Sequence, residues 1–323
     1  MFCKITNENE NHNGYQYIDG LNILDKPFQD QECGSCVPGG LYYTNKGNLH
    51  YFYEYGVWIR IVSTPEDAKV VEDPISFGGR KWRTDKIILH DKYPLYDLGT
   101  IKKFNLKITK EYIKEVSKLG KVDILEWWIN SDSIEHEDDT SFQIKSMVSA
   151  SIYGKINVLE FWKNSWYPLH NSDEMVDYAS MYGQIEVLDW WKNLDIPYFS
   201  ITYSENAIDY TKHVNVLDWW LKSNLPLKYS NRALQLASEH GKINVLEWWV
   251  KSGLPLKYDE RALVDASKNG QVDVLEWWID SNLPLKYNEM SSFAQKQFKN
   301  LVYTCNDDVI AWWDENINIV KTR

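Results

Sequence analysis

The chain has 323 residues, 44% of them hydrophobic, and a formal net charge of −11. That length and apolar content exclude a disordered chain and leave room for a small domain followed by a solenoid. The acidic balance excludes broad binding to a phosphate backbone. No stretch nears about 18 apolar residues, and MFCKITNENENHNG lacks an apolar core, so neither a transmembrane segment nor a signal peptide is expected.

Four cysteines, Cys3, Cys33, Cys36 and Cys305, are too few for a disulfide framework and point to a reducing compartment. Cys33-Gly-Ser-Cys36 has zinc-ligand spacing. A structural zinc site needs four ligands, and only Cys3, His12 and His50 stand near it, at unhelpful intervals. A plain turn with free thiols, and no metal, is the expectation.

Residues 1–103 read as a small α+β domain. Gly39-Gly40 breaks the chain before Leu41-Tyr42-Tyr43-Thr44. Val57 to Ser63, Ala68 to Glu72 and Lys86 to His90 read as short strands. Trp58, Arg60 and Val62 alternate with Val57, Ile59 and Ile61, which suggests a sheet with one partly wet face.

Residues 104–323 read as an all-α solenoid of about seven units, the last one capping. Paired aromatics end at Trp128, Trp162, Trp191, Trp220, Trp249, Trp278 and Trp313, and the five middle pairs are 29 residues apart. A fixed period of this size marks a repeat array. In the clearest unit, Ser230 is the expected N-cap. Ala233, Leu234, Leu236 and Ala237 give one apolar helical face, Gly241 stops the helix, and a second helix runs from about Ile243 to Lys251. Lys212 stands where Gly is expected, so a tighter turn and a short first helix are predicted there. Asp132 to Thr140 is an acidic insertion, read as a solvated loop. Adjacent helical residues lie about 100° apart, so one Trp of each pair is expected on its partner helix and the other on the neighbouring unit. The acids before the pairs, Glu126, Glu160, Asp189, Asp218, Glu247 and Glu276, read as a solvated face.

The unit ALQLASEHGKINVLEWWV, Ala233 to Val250, resembles the ankyrin repeat. The period departs from the usual 33 or so residues. The shortfall falls in the joining segment, here Lys251 to Asp259, so shortened or absent β-hairpin fingers are expected. With Cys36-Val-Pro-Gly-Gly-Leu-Tyr42 and Asp85-Lys-Ile-Ile-Leu89 ahead of Leu-Glu-Trp-Trp units, the whole chain resembles the ankyrin-like repeat proteins of giant DNA viruses of amoebae.

That resemblance implies a concave partner-binding face carried by the residues before each turn glycine and near each helix start. Here these are Ile152, Tyr153, Met181, Tyr182, Glu239, His240, Lys268 and Asn269, with Asp173, Asn231 and Glu260. Tyr153, Met181 and Tyr182 are the expected anchors, since aromatics and Met carry interface energy more often than charges. It also implies a non-enzymatic scaffold that binds a protein, with no cofactor, in host cytoplasm or nucleus or in the virion. Two other readings stand beside it. One is a structural component of a viral assembly. The other is an ADP-ribosyltransferase-like N-terminal domain, since His12 and Gly39 to Thr44 loosely resemble that family's order. There Asn13 replaces the expected Gly, and the later acid would be Glu66 or Glu72.

Overall fold

The computed structural model describes residues 1–29, 39–73, 79–131, 140–196 and 200–322. Cys33-Gly-Ser-Cys36 and residues 132–139 of the acidic insertion lie outside them. By packing, the chain divides into two compact units, Met1–Ser149 and Ala150–Arg323.

The first unit is built on nine strands. They are β1 Phe2–Thr6, β2 Asn11–His12, β3 Tyr15–Gln16, β4 Gly20–Ile23, β5 Leu41–Asn45, β6 Trp58–Ser63, β7 Val70–Glu72, β8 Lys81–Thr84 and β9 Lys86–Pro94. Seven of them form an antiparallel sheet in the order β4-β9-β6-β1-β5-β8-β7, and β2 and β3 pair as a ribbon. His50 to Tyr55 belongs to a 3-10 helix, Lys46–Tyr55, whose Leu49 and Tyr53 are buried. The partly wet face expected around Arg60 is dry. Arg60 is buried because Glu10 meets its Nε at 2.7 Å, Asp19 meets Nη2, and the His90 carbonyl accepts from Nη1 at 2.9 Å. Residues from the segment preceding β4 fold back over that side, a long-range event that strand alternation does not encode.

β1 sits at the middle of this sheet but pairs with β5 over only two positions, Phe2 with Asn45 and Cys3 with Thr44. Beyond Cys3 the ladder between them stops, while β1 stays paired with β6 as far as Thr6.

Helices follow: α1 Leu98–Phe104, α2 Lys110–Lys118, α3 Val122–Ile129, α4 Ser141–Ile152, α5 Ile156–Asn164, α6 Asp173–Met181, α7 Ile185–Lys192, α8 Asn206–Asp209 and α9 Val214–Lys222. They continue as α10 Arg232–Glu239, α11 Ile243–Lys251, α12 Arg261–Lys268, α13 Val272–Asp280, α14 Ser292–Val302 and α15 Asp307–Thr322. Thr109 caps α2 by accepting from the Tyr112 amide at 3.1 Å. This first repeat helix docks against the 3-10 helix and the segment that follows β9. Buried Tyr112 donates to the Leu95 carbonyl at 2.8 Å and packs against the Tyr53 and Tyr96 rings.

In the second unit the helix pairs stack through bonds that recur. Trp162, Trp191, Trp220, Trp249 and Trp278 are fully buried. The indole N–H of several reaches the preceding unit: Trp220 donates to Ser180 Oγ at 2.8 Å and Trp278 to Ser238 Oγ at 3.0 Å. A buried indole needs such an acceptor. The other aromatic of each of these pairs, Phe161 or a Trp, is only half-buried. Trp219 donates to Asp189 at 2.7 Å, Trp248 to Asp218 at 2.7 Å, and Trp190 to Glu160. Of the acids before the pairs, expected to be a solvated face, Glu126, Asp189, Glu247 and Glu276 are exposed and Glu160 and Asp218 half-buried; three of the six also accept an indole N–H from the unit that follows.

The joining loops do the work of fingers. Among the described residues no strand follows Pro94. Lys228 donates to the Tyr203 carbonyl at 2.8 Å and lies over its ring, while Tyr203 donates to the Pro226 carbonyl at 2.8 Å. Lys257, Tyr229 and Pro255 repeat the clamp at 2.8 and 3.0 Å. Each Leu-Pro-Leu-Lys-Tyr loop is therefore fastened to the one before it.

Two local expectations hold. Ser230 caps α10, its Oγ accepting the Arg232 amide at 3.2 Å, while its hydroxyl donates to Asp209 of the preceding unit at 2.5 Å. α8 has four residues, and Lys212 is not left-handed, so the turn there closes without the glycine geometry used elsewhere. Gly241 shows that geometry, with φ at +67°, and a Cβ there would stand 2.4 Å from the Gln271 side-chain oxygen. Gly241→Ala is expected to cost about 1 kcal/mol and Gly241→Asn less, since Asn tolerates the left-handed region. Urea midpoints followed by helical circular dichroism test this order.

Candidate functional site

The row before the turn glycines lies where first helices end. Each of these helices closes on a fully buried serine: Ser151 in α4, Ser180 in α6, Ser238 in α10 and Ser267 in α12. Packing fixes that position. The next two residues are released from the core. Ile152 and Met181 are half-buried, while Tyr153 is 44% and Tyr182 49% exposed.

Consecutive turns are joined by hydrogen bonds. Gln184 follows the glycine of one turn and donates to the Ile152 carbonyl of the previous turn at 3.0 Å. Thr211 donates to the Ser180 carbonyl at 3.1 Å. The structure thus brings Ile152-Tyr153 and Met181-Tyr182 onto adjacent, linked turns. Tyr182 stands 6.4 Å from the ring of Tyr178. Tyr210, half-buried under the Arg232 guanidinium at 4.7 Å, continues the aromatic row. The sequence reading missed Tyr210 because Lys212 stands in place of the turn glycine used for counting. Counting back from Trp219 and Trp220 finds it.

The remaining expected residues differ in kind. Asp173 is exposed in the first turn of α6. Asn231 donates to Asp259 of the next loop at 2.6 Å, so it fastens units. Burial raises the Asp259 carboxyl, but hydrogen bonds from Arg261 and Asn231 outweigh it and leave its pKa below the ordinary value. Glu239 and His240 are half-buried where α10 ends, and Glu260 is half-buried at the start of α12. Lys268 pairs with Asp265 at 3.3 Å, and Asn269 donates to the Asp265 carbonyl at 2.9 Å. The row is apolar and aromatic at its first turns, and polar with local partners at its last.

A separate cavity of about 280 Å³ lies in the first unit. His12, Gly39, Gly40, Tyr42 and Tyr43 all line it, along with Lys4, Tyr15 and Tyr17. Glu66 and Glu72 do not. Both are exposed, and Glu72 pairs with Arg80 at 2.7 Å. Among the described residues no group of three His, Cys, Asp or Glu could hold a metal ion. No described helix is long and apolar enough to cross a membrane.

No family model matches the chain. Individual relatives do. A protein of Acanthamoeba polyphaga mimivirus named for ankyrin repeats is 41% identical over 100 residues, 31% of this chain and 50% of its own length. An uncharacterised protein of the same virus is 40% identical over 105 residues, 32% of this chain and 73% of its own. A third, also named for ankyrin repeats, is 37% identical over 113 residues, 32% of this chain and 36% of its own. The chain thus spans about half of the first relative's length. It belongs to the ankyrin-like repeat family of giant viruses of amoebae.

Proposed function

We propose that the chain is a non-enzymatic scaffold that binds a protein through the turn row led by Tyr153, Met181 and Tyr182. The observation that carries this reading is the contrast within the row. Its serine is held in the core in unit after unit, while the next two residues vary freely and expose two tyrosines on linked turns. Exposed aromatics on a rigid, evenly spaced support are what a hot spot needs. A partner with an apolar anchor flanked by basic groups fits this acidic chain better than nucleic acid does. We take residues 1–103 as a distinct sheet domain and 104–323 as the binding array, acting in host cytoplasm or nucleus or in the virion. The names of the mimivirus relatives support the scaffold reading.

The test begins with cross-linking in infected amoebae and identification of the partner. Affinity of the purified partner is then measured against the Tyr153→Ala, Met181→Ala, Tyr182→Ala triple variant. A loss of about 2 kcal/mol or more is expected. Unchanged affinity would move the site off this row, and self-assembly without a partner would favour the structural-component reading.

A further inference from the structure

The fork between β1 and β5 holds a buried ammonium that meets no acid among the described residues. Lys4 lies in the middle of β1, just past the last β1–β5 pair, and is 6% exposed. Its ammonium donates to the Tyr42 carbonyl at 2.9 Å and lies 4.4 Å from the Tyr17 ring centroid. Among the described residues these are its partners, and neither carries a charge. An ammonium has three donors, and a buried one is ordinarily paired with an acid. Arg60, opposite Lys4 on β6, meets that rule with Glu10 and Asp19. Lys4 does not, and it lines the 280 Å³ cavity.

The cavity walls say what would complete the pair. His12, Tyr15 and Tyr17 form a cluster of rings, with Tyr15 and Tyr17 centroids 4.8 Å apart and His12 6.2 Å from Tyr17. Tyr43 lines the other strand of the fork. His12 Nε2 accepts the Asn7 amide at 3.1 Å, which places its proton on Nδ1 as a second donor. Burial, followed by the nearby Lys4 charge, pushes the His12 pKa down to about 4, so the ring is neutral near pH 7. Of the other charged residues that line the cavity, Asp25 and Lys26 are exposed and Lys81 is paired with Asp73 at 3.3 Å, so its interior offers one buried ammonium without an acid partner among the described residues and one neutral N–H, which suit a monoanion. A phosphate ester, with its larger charge, calls for a denser donor set.

We propose that this fork is a binding site for a small aromatic carboxylic acid, its carboxylate on Lys4 Nζ and its ring against the Tyr15–Tyr17 wall. This goes beyond the scaffold role and is independent of it. The acid would supply the counter-charge the strand lacks, and so would stabilise the sheet as it binds.

The experiment uses the full chain with 4-hydroxybenzoate and indole-3-acetate as probes, and their primary amides as neutral controls. Calorimetry should show one saturable site for at least one acid, with its amide about tenfold weaker or worse. Lys4→Met should abolish the preference for acid over amide. Because the preference is read first on the unaltered chain, the test stands whether or not that variant folds. Equal binding of acid and amide, no saturable binding of either acid up to about 10 mM, or an undiminished preference in folded Lys4→Met would each overturn the proposal.

Discussion

Replacing Trp220 by Ala is expected to cost the repeat array about 4 kcal/mol, while replacing its neighbour Trp219 costs about 1 to 2. The two are adjacent in sequence and identical in type, so only their surroundings can separate them. Trp220 is 1% exposed. Its ring sits 4.7 Å from Tyr203 and edge-on to Trp219 at 5.0 Å, and its N–H is held by Ser180. Truncation there opens a cavity between two units and leaves the Tyr203 clamp without support. Trp219 is half-buried, and its indole ends on the exposed Asp189. Its loss removes one charge-assisted hydrogen bond and part of an apolar surface, with water able to fill the space. Urea denaturation followed by helical circular dichroism reads both losses without relying on the Trp signal itself. Equal losses would mean that burial, as described here, does not order the two positions.

Stability of the sheet unit should rise between about pH 7 and pH 9, level off, and fall above about pH 10. Burial lowers the Lys4 pKa from 10.5 to about 7. In that interval the unfolded chain holds a proton that the folded chain lacks, so raising the pH favours folding. Complete titration would be worth roughly 5 kcal/mol, at about 1.4 per pH unit. Cys3, on the same strand, works in the opposite direction. Its pKa is pushed from 9.0 up to about 11 by burial, against the lowering effect of the N-terminus and Lys46. Between those values the folded chain keeps a proton that the unfolded chain has lost, so stability declines as pH rises. The buried Tyr17 and Tyr53, raised by the same desolvation, add to the decline. Lys4→Met should flatten the rise and make the unit about 3 kcal/mol more stable than the natural chain at pH 6. Hydrogen exchange at the β1 and β6 amides, corrected for intrinsic rates, measures this within the sheet. An unchanged slope in the variant would remove Lys4 as its source.

The repeat was legible because its signals are local. A turn glycine, a second-helix Leu-Glu-Trp-Trp and a Pro-bearing loop each act within a few residues of themselves. They fixed α11 at Ile243 to Lys251 and placed the short α8. What escaped lies between residues about thirty positions apart. The bond from Trp248 to Asp218 depends on which way an indole leans, and helical periodicity cannot see that. The aromatic row was found in part, since Tyr153 and Tyr182 follow from the glycine register and Tyr210 does not. In the sheet, Arg60 read as part of a wet face, and Lys4 was not singled out. Both are buried, one because Glu10 folds back to it and the other because β5 leaves β1. A lone Lys within Phe2-Cys-Lys-Ile5 was the available signal, yet only the three-dimensional fork distinguishes a cavity from a surface.

The loop clamps have a consequence for how such an array changes length. Lys257 grips Tyr229 as Lys228 grips Tyr203, with the same atoms at the same distances. A join made between two loops is chemically indifferent to which copy stands on either side. Whole units can therefore be gained or dropped by recombination at these loops without any new complementary residue having to arise. What such an exchange has to preserve at the loops is a lysine, a tyrosine ring and two backbone carbonyls.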